Sequence, residues 1–457
     1  MFDSGLFIFH RDFRIQDNIG LINAASQCKD LYVCFIFTPE QVGKSNQYRS
    51  TNAIQFMIES LEDLEKDIHS HGGELGIFYG KQVKIIDHFI QNHKINAVFY
   101  NKDYTPYAVE RDTDTRDHCV KRGIECIESA DYYLHEPGTV LTGGGKGSAY
   151  KKFTPFYEYV KHIKVPTPSS KKFHNIRKIT STFSLEKAMK TLVKKKNENI
   201  LVHGGRKIGL EYLHKGVKDQ KHYDTMRNEL IYSTSHLSAY IKFGCVSIRE
   251  VYAAFHGNSE FIRQLLWRDF FAHILYAYPE VLGKSYHYKG IHWRKSEKDF
   301  DTWCRGETGF PIIDAGMREL NATGYMHNRT RMAVATFLVK TLLIDWRWGE
   351  QYFATQLTDY DIASNNGNWQ GISSTGVDLK PYFKDMNPWI QSAKFDKNAA
   401  YIKKWVPELN DVDPKDIHKW FSNHKDPKYK DVHYPKPMVD LDEQKDKMMK
   451  IYQNTKA

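Results

Sequence analysis

The sequence predicts two unlike halves, an α/β half built on a doubly wound parallel sheet and an all-α half after it. Three observations carry this. Over the first 130 residues, short β-rich runs alternate with helical stretches, the βαβ signature of a parallel sheet with helices on both faces. After about residue 200 the pattern changes to long helical periods with few β-branched runs. At 457 residues and 53.4 kDa, the chain also exceeds what one hydrophobic core comfortably holds, so two or three domains are expected. We place them at 1–130 and 206–457, joined by a linker over 131–205.

In chain order, the expected strands are Leu6 to Phe9, Leu31 to Phe37, Leu75 to Tyr79, Ala97 to Tyr100 and Ile124 to Ile127, with Thr51 to His69 a helix between them. The turn after the first strand reads His10-Arg11-Asp12-Phe13-Arg14. It has no G-x-G-x-x-G, so the sheet is Rossmann-like without a dinucleotide fingerprint. Gly143 to Ser148 is glycine-rich but lacks the spacing of a phosphate loop. Between Lys161 and Lys196 stand eleven Lys or Arg against one acid, Glu186. That segment alone accounts for the net charge of +10, and with Pro166, Pro168 and its Ser/Thr content it reads as a solvated connector. In the second half, Ser247 to Phe255, Glu260 to Tyr278, Pro311 to Leu320 and His327 to Trp346 read as helices. Pro311 suits a first helical position, and Gly324 a stop between two helices.

Composition excludes several classes. The six cysteines form no C-x-x-C pair and no regular spacing, which argues against a disulfide framework or zinc site and for a reducing compartment. The longest apolar run, Leu31 to Phe37, is far short of the roughly 20 residues of a membrane helix. We expect a soluble, unprocessed, intracellular protein, cytoplasmic or nuclear and not secreted. No H-E-x-x-H, G-x-S-x-G or Cys-His arrangement supports a hydrolase.

Three stretches could carry chemistry. Thr234-Ser235-His236-Leu237-Ser238 opens a helical pattern whose hydroxyls and backbone N–H groups could hold a phosphate, although a simple helix cap is the plainer reading. Gln264, Trp267 and Arg268 on one helix, and Asn328, Arg329, Arg331 and Met332 on another, make mixed polar, aromatic and thioether faces. Such faces could stack a flipped-out base while arginines hold phosphates, or could simply form an amphipathic interface. The third is Asp359-Tyr360-Asp361 followed by Asn365-Asn366-Gly367-Asn368-Trp369, whose carboxylates and amides are costly to bury unless they bind a polar partner.

Together these stretches resemble the photolyase/cryptochrome family, and the resemblance runs from the first strand to the C-terminal tail. His10 to Asn18 looks like the family's opening R-x-x-R-x-x-D-N, and Asp103 to Tyr107 with Arg111-Asp112 resembles its D-Y-x-P-Y segment. Leu266 to Phe271, Thr308 to Pro311, Gly324 to Arg329 and Asn365 to Trp369 match its helical half. The resemblance implies an N-terminal antenna domain and an all-α domain holding non-covalent FAD, with a second chromophore of folate or deazaflavin type in the first. By motif, Tyr223, Thr234, Ser235, His236, Leu237, Ser238, Asn328, Arg331, Asp359, Tyr360, Asp361 and Asn365 would line the FAD site. Asn365 would face flavin N5 and favour the radical and reduced states over the oxidised one. Trp369, Trp346 and Trp293 match the family's electron-relay tryptophans.

The implied reaction is repair of UV-damaged DNA by a carbon–carbon lyase. Excited reduced FAD gives an electron to a pyrimidine dimer, the dimer splits and the electron returns, with no metal or obligate protein partner and with the protein a monomer. Arg227, Gln264, Trp267, Arg268, Asn328, Arg329, Met332 and Gln391 match positions that contact DNA. Met332 and the Met326-His327-Asn328 run resemble cyclobutane pyrimidine dimer photolyases of class I. Gln264, by contrast, stands where that class has Glu, and is common in (6-4) photolyases and animal cryptochromes; Gly371 stands in place of an aromatic pocket wall. His236 replaces a usual Arg, and Ser233 a usual Gly. The alternatives are therefore a (6-4) photolyase or a blue-light receptor of cryptochrome type. Tyr434 to Asp440 resembles the family's last motif, and the 17 residues after Asp440 leave no signalling extension, which favours repair.

Overall fold

The computed structural model describes residues 1–171, 173–287, 290–378 and 386–453. The first half builds a five-stranded sheet of β1 (Phe2–Phe9), β2 (Cys28–Phe37), β3 (Leu75–Tyr79), β4 (Ala97–Asn101) and β5 (Glu125–Ser129), in the order β3-β2-β1-β4-β5 with every pair parallel. All five expected strands are present, and the first two begin earlier than their apolar runs suggested. Helices α1 (Ile19–Gln27), α2 (Thr51–Ser70), α3 (Gln82–His93) and α4 (Pro106–Arg122) provide the crossovers. Their starts are set locally: the side chains of Asn18, Ser50 and Thr105 each accept a hydrogen bond from a first-turn backbone N–H.

The strand order reverses between β1 and β4, and the R-x-x-R-x-x-D-N segment leaves β1 at that point. Arg11 makes a two-pronged pair with Asp103, which follows β4, both bonds at 2.7 Å. Asp131 accepts from Arg14 at 2.6 Å and from Arg249 at 2.7 Å, and Arg249 also reaches Asp17 at 2.9 Å. Asp131 and Asp17 are fully buried. Burial pushes Asp131 upward, but Arg14 and Arg249 outweigh it and hold the carboxyl below its usual range. The family's opening motif thus joins the sheet to the helical half.

The basic segment differs from the solvated connector we expected. After α5 (Phe153–Val160), residues 173–183 run along the sheet: Leu31 pairs with Ile176, and Phe183 donates its N–H to Ile77 O at 3.1 Å. Phe173, Ile176 and Ile179 are buried while the intervening cations face outward, so a three-residue apolar spacing anchors a chain whose charge total reads as linker. Lys172 lies outside the described residues.

The second half contains α6 (Arg206–Asp219), α7 (Ser238–Lys242), α8 (Ile248–Ala254), α9 (Ser259–Ala277), α10 (Glu297–Arg305), α11 (Pro311–Thr323), α12 (Asn328–Thr336), α13 (Trp346–Gln356), α14 (Ile362–Ser373) and α15 (Pro388–Phe395), among shorter turns. Pro311 is the first residue of α11, and Gly324 ends it at φ +67°, donating its N–H to Leu320 O. The expected single helix from His327 to Trp346 is two helices. The first passes into a π turn over Phe337–Thr341, Leu343 takes φ +59°, and Asp345 caps a new helix by accepting from Arg347 N. Apolar periodicity continues across this break, which is why spacing alone did not show it.

Candidate functional site

The loop ahead of α14 gathers the acidic stretch. Asp361 is its N-cap, accepting from Ser364 N at 2.9 Å. Asp359 pairs with Arg331 of α12 at 3.0 Å and accepts from Ser238 Oγ at 2.7 Å. Arg331 in turn donates its Nε to Met326 O at 2.8 Å and lies over the ring of Tyr325. The Tyr325 hydroxyl is 3.1 Å from Thr234 Oγ1, and its ring stands edge-on to His236 at 4.9 Å. Three stretches far apart in sequence, 234–238, 325–331 and 359–361, therefore meet. Leu237 is buried in the core, and Ser235 packs over Gly216 of α6. Helix α7, which follows, is only five residues long.

Charge is concentrated around Asp361. Burial raises its carboxyl, but Arg268, Lys242 and Arg11 overcome that and keep it below its usual range. Lys242 is itself pushed down to about 8 by burial and by Arg11. Arg268 donates its Nη1 to Tyr132 O at 2.7 Å and lies 4.3 Å over the Tyr133 ring, so its guanidinium reaches toward the first half of the chain. The Nη2 of Arg268, the Nδ1 of His236 and the hydroxyl of Tyr360 are buried without a hydrogen-bond partner. Burial lowers His236 to about 4, leaving it neutral.

Helix α14 packs against α9, α12 and α13. Gly367 permits the approach to α9: a Cβ there would lie 2.2 Å from Phe271. One turn later, a Cβ on Gly371 would meet nothing within 4 Å. Trp267 is backed by Phe153 of α5, the rings stacked at 3.6 Å and 8°. Gln264 donates its Nε2 to Glu260 O at 3.2 Å, and Asn328 donates its Nδ2 to Met332 Sδ at 3.8 Å. Arg227 pairs with Glu260 at 3.4 Å and lies over Tyr223, while Arg329 donates to Asn228 and covers Phe395. The Nε atoms of Arg227 and Arg329 are buried and unpaired. Gln391 stands apart, lining a cleft of about 290 Å³ with Lys340, Thr341 and Met448.

Trp369 and Trp346 are buried, and Trp293 is half-buried. Trp369 packs so tightly on α13 that a Cβ on Gly349 would lie 2.2 Å from it. Arg294, next to Trp293, donates its N–H to Leu343 O at 2.7 Å, which sets Trp293 beside the segment leading into Trp346.

Two family models match the chain: "DNA photolyase" over residues 6–172 and "FAD binding domain of DNA photolyase" over residues 261–454. The deoxyribodipyrimidine photo-lyase of Buchnera aphidicola subsp. Baizongia pistaciae is 34% identical over 99% of this chain and 98% of its own length. The chain belongs to the photolyase family. It is an enzyme of the deoxyribodipyrimidine photo-lyase type, with an FAD-binding domain. Among solved photolyase folds, the photolyase from Sulfolobus tokodaii with two FAD molecules is 40% identical, with a TM-score of 0.88 over 99% of this chain and all of that one. The class III photolyase of Agrobacterium tumefaciens is 29% identical (TM-score 0.91, 99% and 98% covered), and a cryptochrome of Synechocystis 25% identical (0.88, 98% and 99%).

The residues present fit this photolyase cofactor. FAD brings a diphosphate, sugar hydroxyls and ring carbonyls, and the site offers a buried guanidinium N–H, a neutral imidazole nitrogen and a phenol, none of them paired among the described residues. Such groups cost about 1 to 3 kcal/mol each when left without a partner. Four residues of the photolyase site escaped the sequence reading. Tyr325 lay inside a motif block but was given no role. Lys242, Phe153 and Glu350, whose backbone carbonyl accepts from Asn365 Nδ2 at 3.0 Å, lie outside the motifs, and their places are set by tertiary packing alone.

Proposed function

We propose that the protein is a light-driven photolyase that splits cyclobutane pyrimidine dimers in UV-damaged DNA, acting as a monomer inside the cell. The observation that carries the reading is that α9, which bears Gln264 and Trp267, and α12, which bears Asn328 and Met332, both pack against α14, the helix that follows its N-cap Asp361 and carries Asn365. A lesion held by the first set is then close to a cofactor held by the second. Reduced FAD supplies, on absorbing blue light, the electron that opens the cyclobutane ring. Arg331 and Asp359 order the cofactor pocket, Arg268 offers its unpaired Nη2 to the diphosphate, and Asn365 sets the electronic state of the ring it faces. Trp267, backed by Phe153, presents a rigid aromatic surface to the flipped-out dinucleotide, and the Gln264 amide donates to a pyrimidine carbonyl. Arg227 and Arg329 hold phosphates, so affinity falls with added salt. Trp369, Trp346 and Trp293 refill the cofactor with electrons, and a folate- or deazaflavin-type antenna serves from the sheet half.

The test is photorepair under blue light. Prereduced protein is offered oligonucleotides carrying either a single cyclobutane dimer or a single (6-4) photoproduct. Repair of the first alone is expected. Repair of the second instead would show that Gln264 outweighs Met332 in setting substrate choice. Repair of neither by flavin-loaded protein would favour a light receptor, the role suggested by the cryptochrome-like fold.

A further inference from the structure

Trp369 has an aromatic neighbour that the tryptophan relay does not use. Trp303, on α10, is fully buried and stands 6.4 Å from Trp369 at 73°. Its ring also lies 5.8 Å from Tyr352, 5.7 Å from Phe300 and 6.3 Å from Phe353. Of these neighbours only the indole and the phenol are readily oxidised by one electron; the two phenylalanines serve as packing. We propose that Trp303 and Tyr352 form a second branch that supplies electrons to Trp369, parallel to the path through Trp346 and Trp293. This branch rests on the photolyase reading above, because it needs a photoexcited flavin as the oxidant.

Two features distinguish the branch from an ordinary aromatic core. The indole Nε1 of Trp303 donates to Val334 O at 3.0 Å, whereas that of Trp346 is buried without a partner. A carbonyl dipole aimed at the N–H stabilises positive charge on the ring, so a hole is held more easily at Trp303 than at Trp346. The branch also ends where a proton can leave. Tyr352 is half-buried and its hydroxyl donates to Asn321 Oδ1 at 2.7 Å on the solvent side, with Cys304 O at 3.3 Å. A phenol that loses an electron must lose its proton as well, and a solvent-facing hydrogen bond provides the route.

The steps balance. Trp369, having given one electron to photoexcited oxidised flavin, is refilled from Trp303, and Trp303 is refilled from Tyr352. The phenol proton passes to water beside Asn321. A thiol in solution then returns a hydrogen atom to the tyrosyl oxygen and leaves as a thiyl radical. In sum, one thiol electron reaches the flavin and one proton reaches water.

The experiment uses full-length, flavin-loaded protein carrying Trp293→Phe, illuminated with blue light without added thiol, which would quench the radical, and followed by electron paramagnetic resonance and transient absorption. The expected result is a light-induced tyrosyl radical, lost on adding Tyr352→Phe or Trp303→Phe and retained on adding Trp346→Phe. Tyr352→Phe removes a single hydroxyl, and an unchanged flavin absorption spectrum confirms that each variant is folded. A tyrosyl signal that survives Tyr352→Phe, or no tyrosyl signal in flavin-loaded protein, overturns the branch alone. Purified wild-type protein that holds no flavin overturns the functional reading, and the branch with it.

Discussion

Asn365 donates its side-chain Nδ2 to the backbone carbonyl of Glu350 at 3.0 Å, tying α14 to α13. The amide nitrogen is thereby engaged and Oδ1 is left as the atom free to accept a proton-bearing partner. Replacing Asn365 with Ala removes both interactions. Oxidised flavin should then be favoured over its reduced forms by about 1 kcal/mol, the usual net worth of one hydrogen bond. A spectroelectrochemical titration of wild-type and variant protein reads this directly, and identical potentials would contradict the role of the amide.

The open space at Gly371 invites the opposite kind of change. Gly371 lies one turn beyond Gly367, on the helix face that packs toward Phe271 and its neighbour Trp267. A side chain at this position starts in open space among the described residues, and Gly371→Trp is the variant that tests it. Stacking of about 1 to 3 kcal/mol per base implies roughly 5- to 150-fold tighter binding of an oligonucleotide carrying one dimer. Fluorescence anisotropy of labelled damaged and undamaged strands measures it, and equal affinities for both proteins would remove Gly371 from the pocket wall.

Asp131 tests the junction of the two halves. Asp131→Asn leaves Arg14 and Arg249 buried with one fewer negative charge between them, and breaking a buried pair from one side costs about 3 to 5 kcal/mol. Chemical denaturation should show a loss of this order. A loss below about 1 kcal/mol, the range of surface pairs, would mean that the buried ion pairs contribute little.

Glu350 gives stability an unusual slope with pH. It is 4% exposed, and burial raises it from 4.5 to about 7, opposed only in part by hydrogen bonds from Asn365 and Tyr48. A carboxyl with a raised folded pKa favours folding when protonated. Its contribution is therefore full below the unfolded value of 4.5 and is lost as pH rises to about 7, on the order of 3 kcal/mol over that window. Asp361 and Asp131 act in the reverse sense and lose stability as pH falls. Glu350→Gln should flatten the decline between acid and neutral pH, as read from urea denaturation at about pH 5 and about pH 7.5. An unchanged slope would exclude Glu350 as its source.

The sheet was legible in the sequence because Leu31 to Phe37 and Leu75 to Tyr79 are apolar, β-rich runs separated by a helix whose cap, Ser50, is written locally. Leu343 was not, because a left-handed residue between two apolar turns leaves the spacing intact. The basic segment misled for a related reason. Its charge dominates any window average, while the anchoring Phe173, Ile176 and Ile179 occupy one position in three. Within the site, Asp359, Arg331 and Asn365 were reached through family motifs and not through their spacing; nothing local in Arg331 points to a carboxylate 28 residues away. Arg268, expected among the DNA contacts, donates to Tyr132 O and covers the ring of Tyr133, a pairing that depends on how the two halves dock.

The Phe153–Trp267 stack bears on how freely the molecule could be divided or recombined. Trp267 belongs to the helical half, yet the ring that steadies it comes from α5, ahead of the basic segment. A fragment starting near residue 206 would retain the motif residues named for the cofactor and still lose the ring stacked behind Trp267. Grafting this helical half onto a foreign sheet domain would have the same defect unless α5 travelled with it. The unit that keeps Trp267 in its packed setting is therefore longer than the helical half, and it begins upstream of the segment that looks in sequence like a boundary.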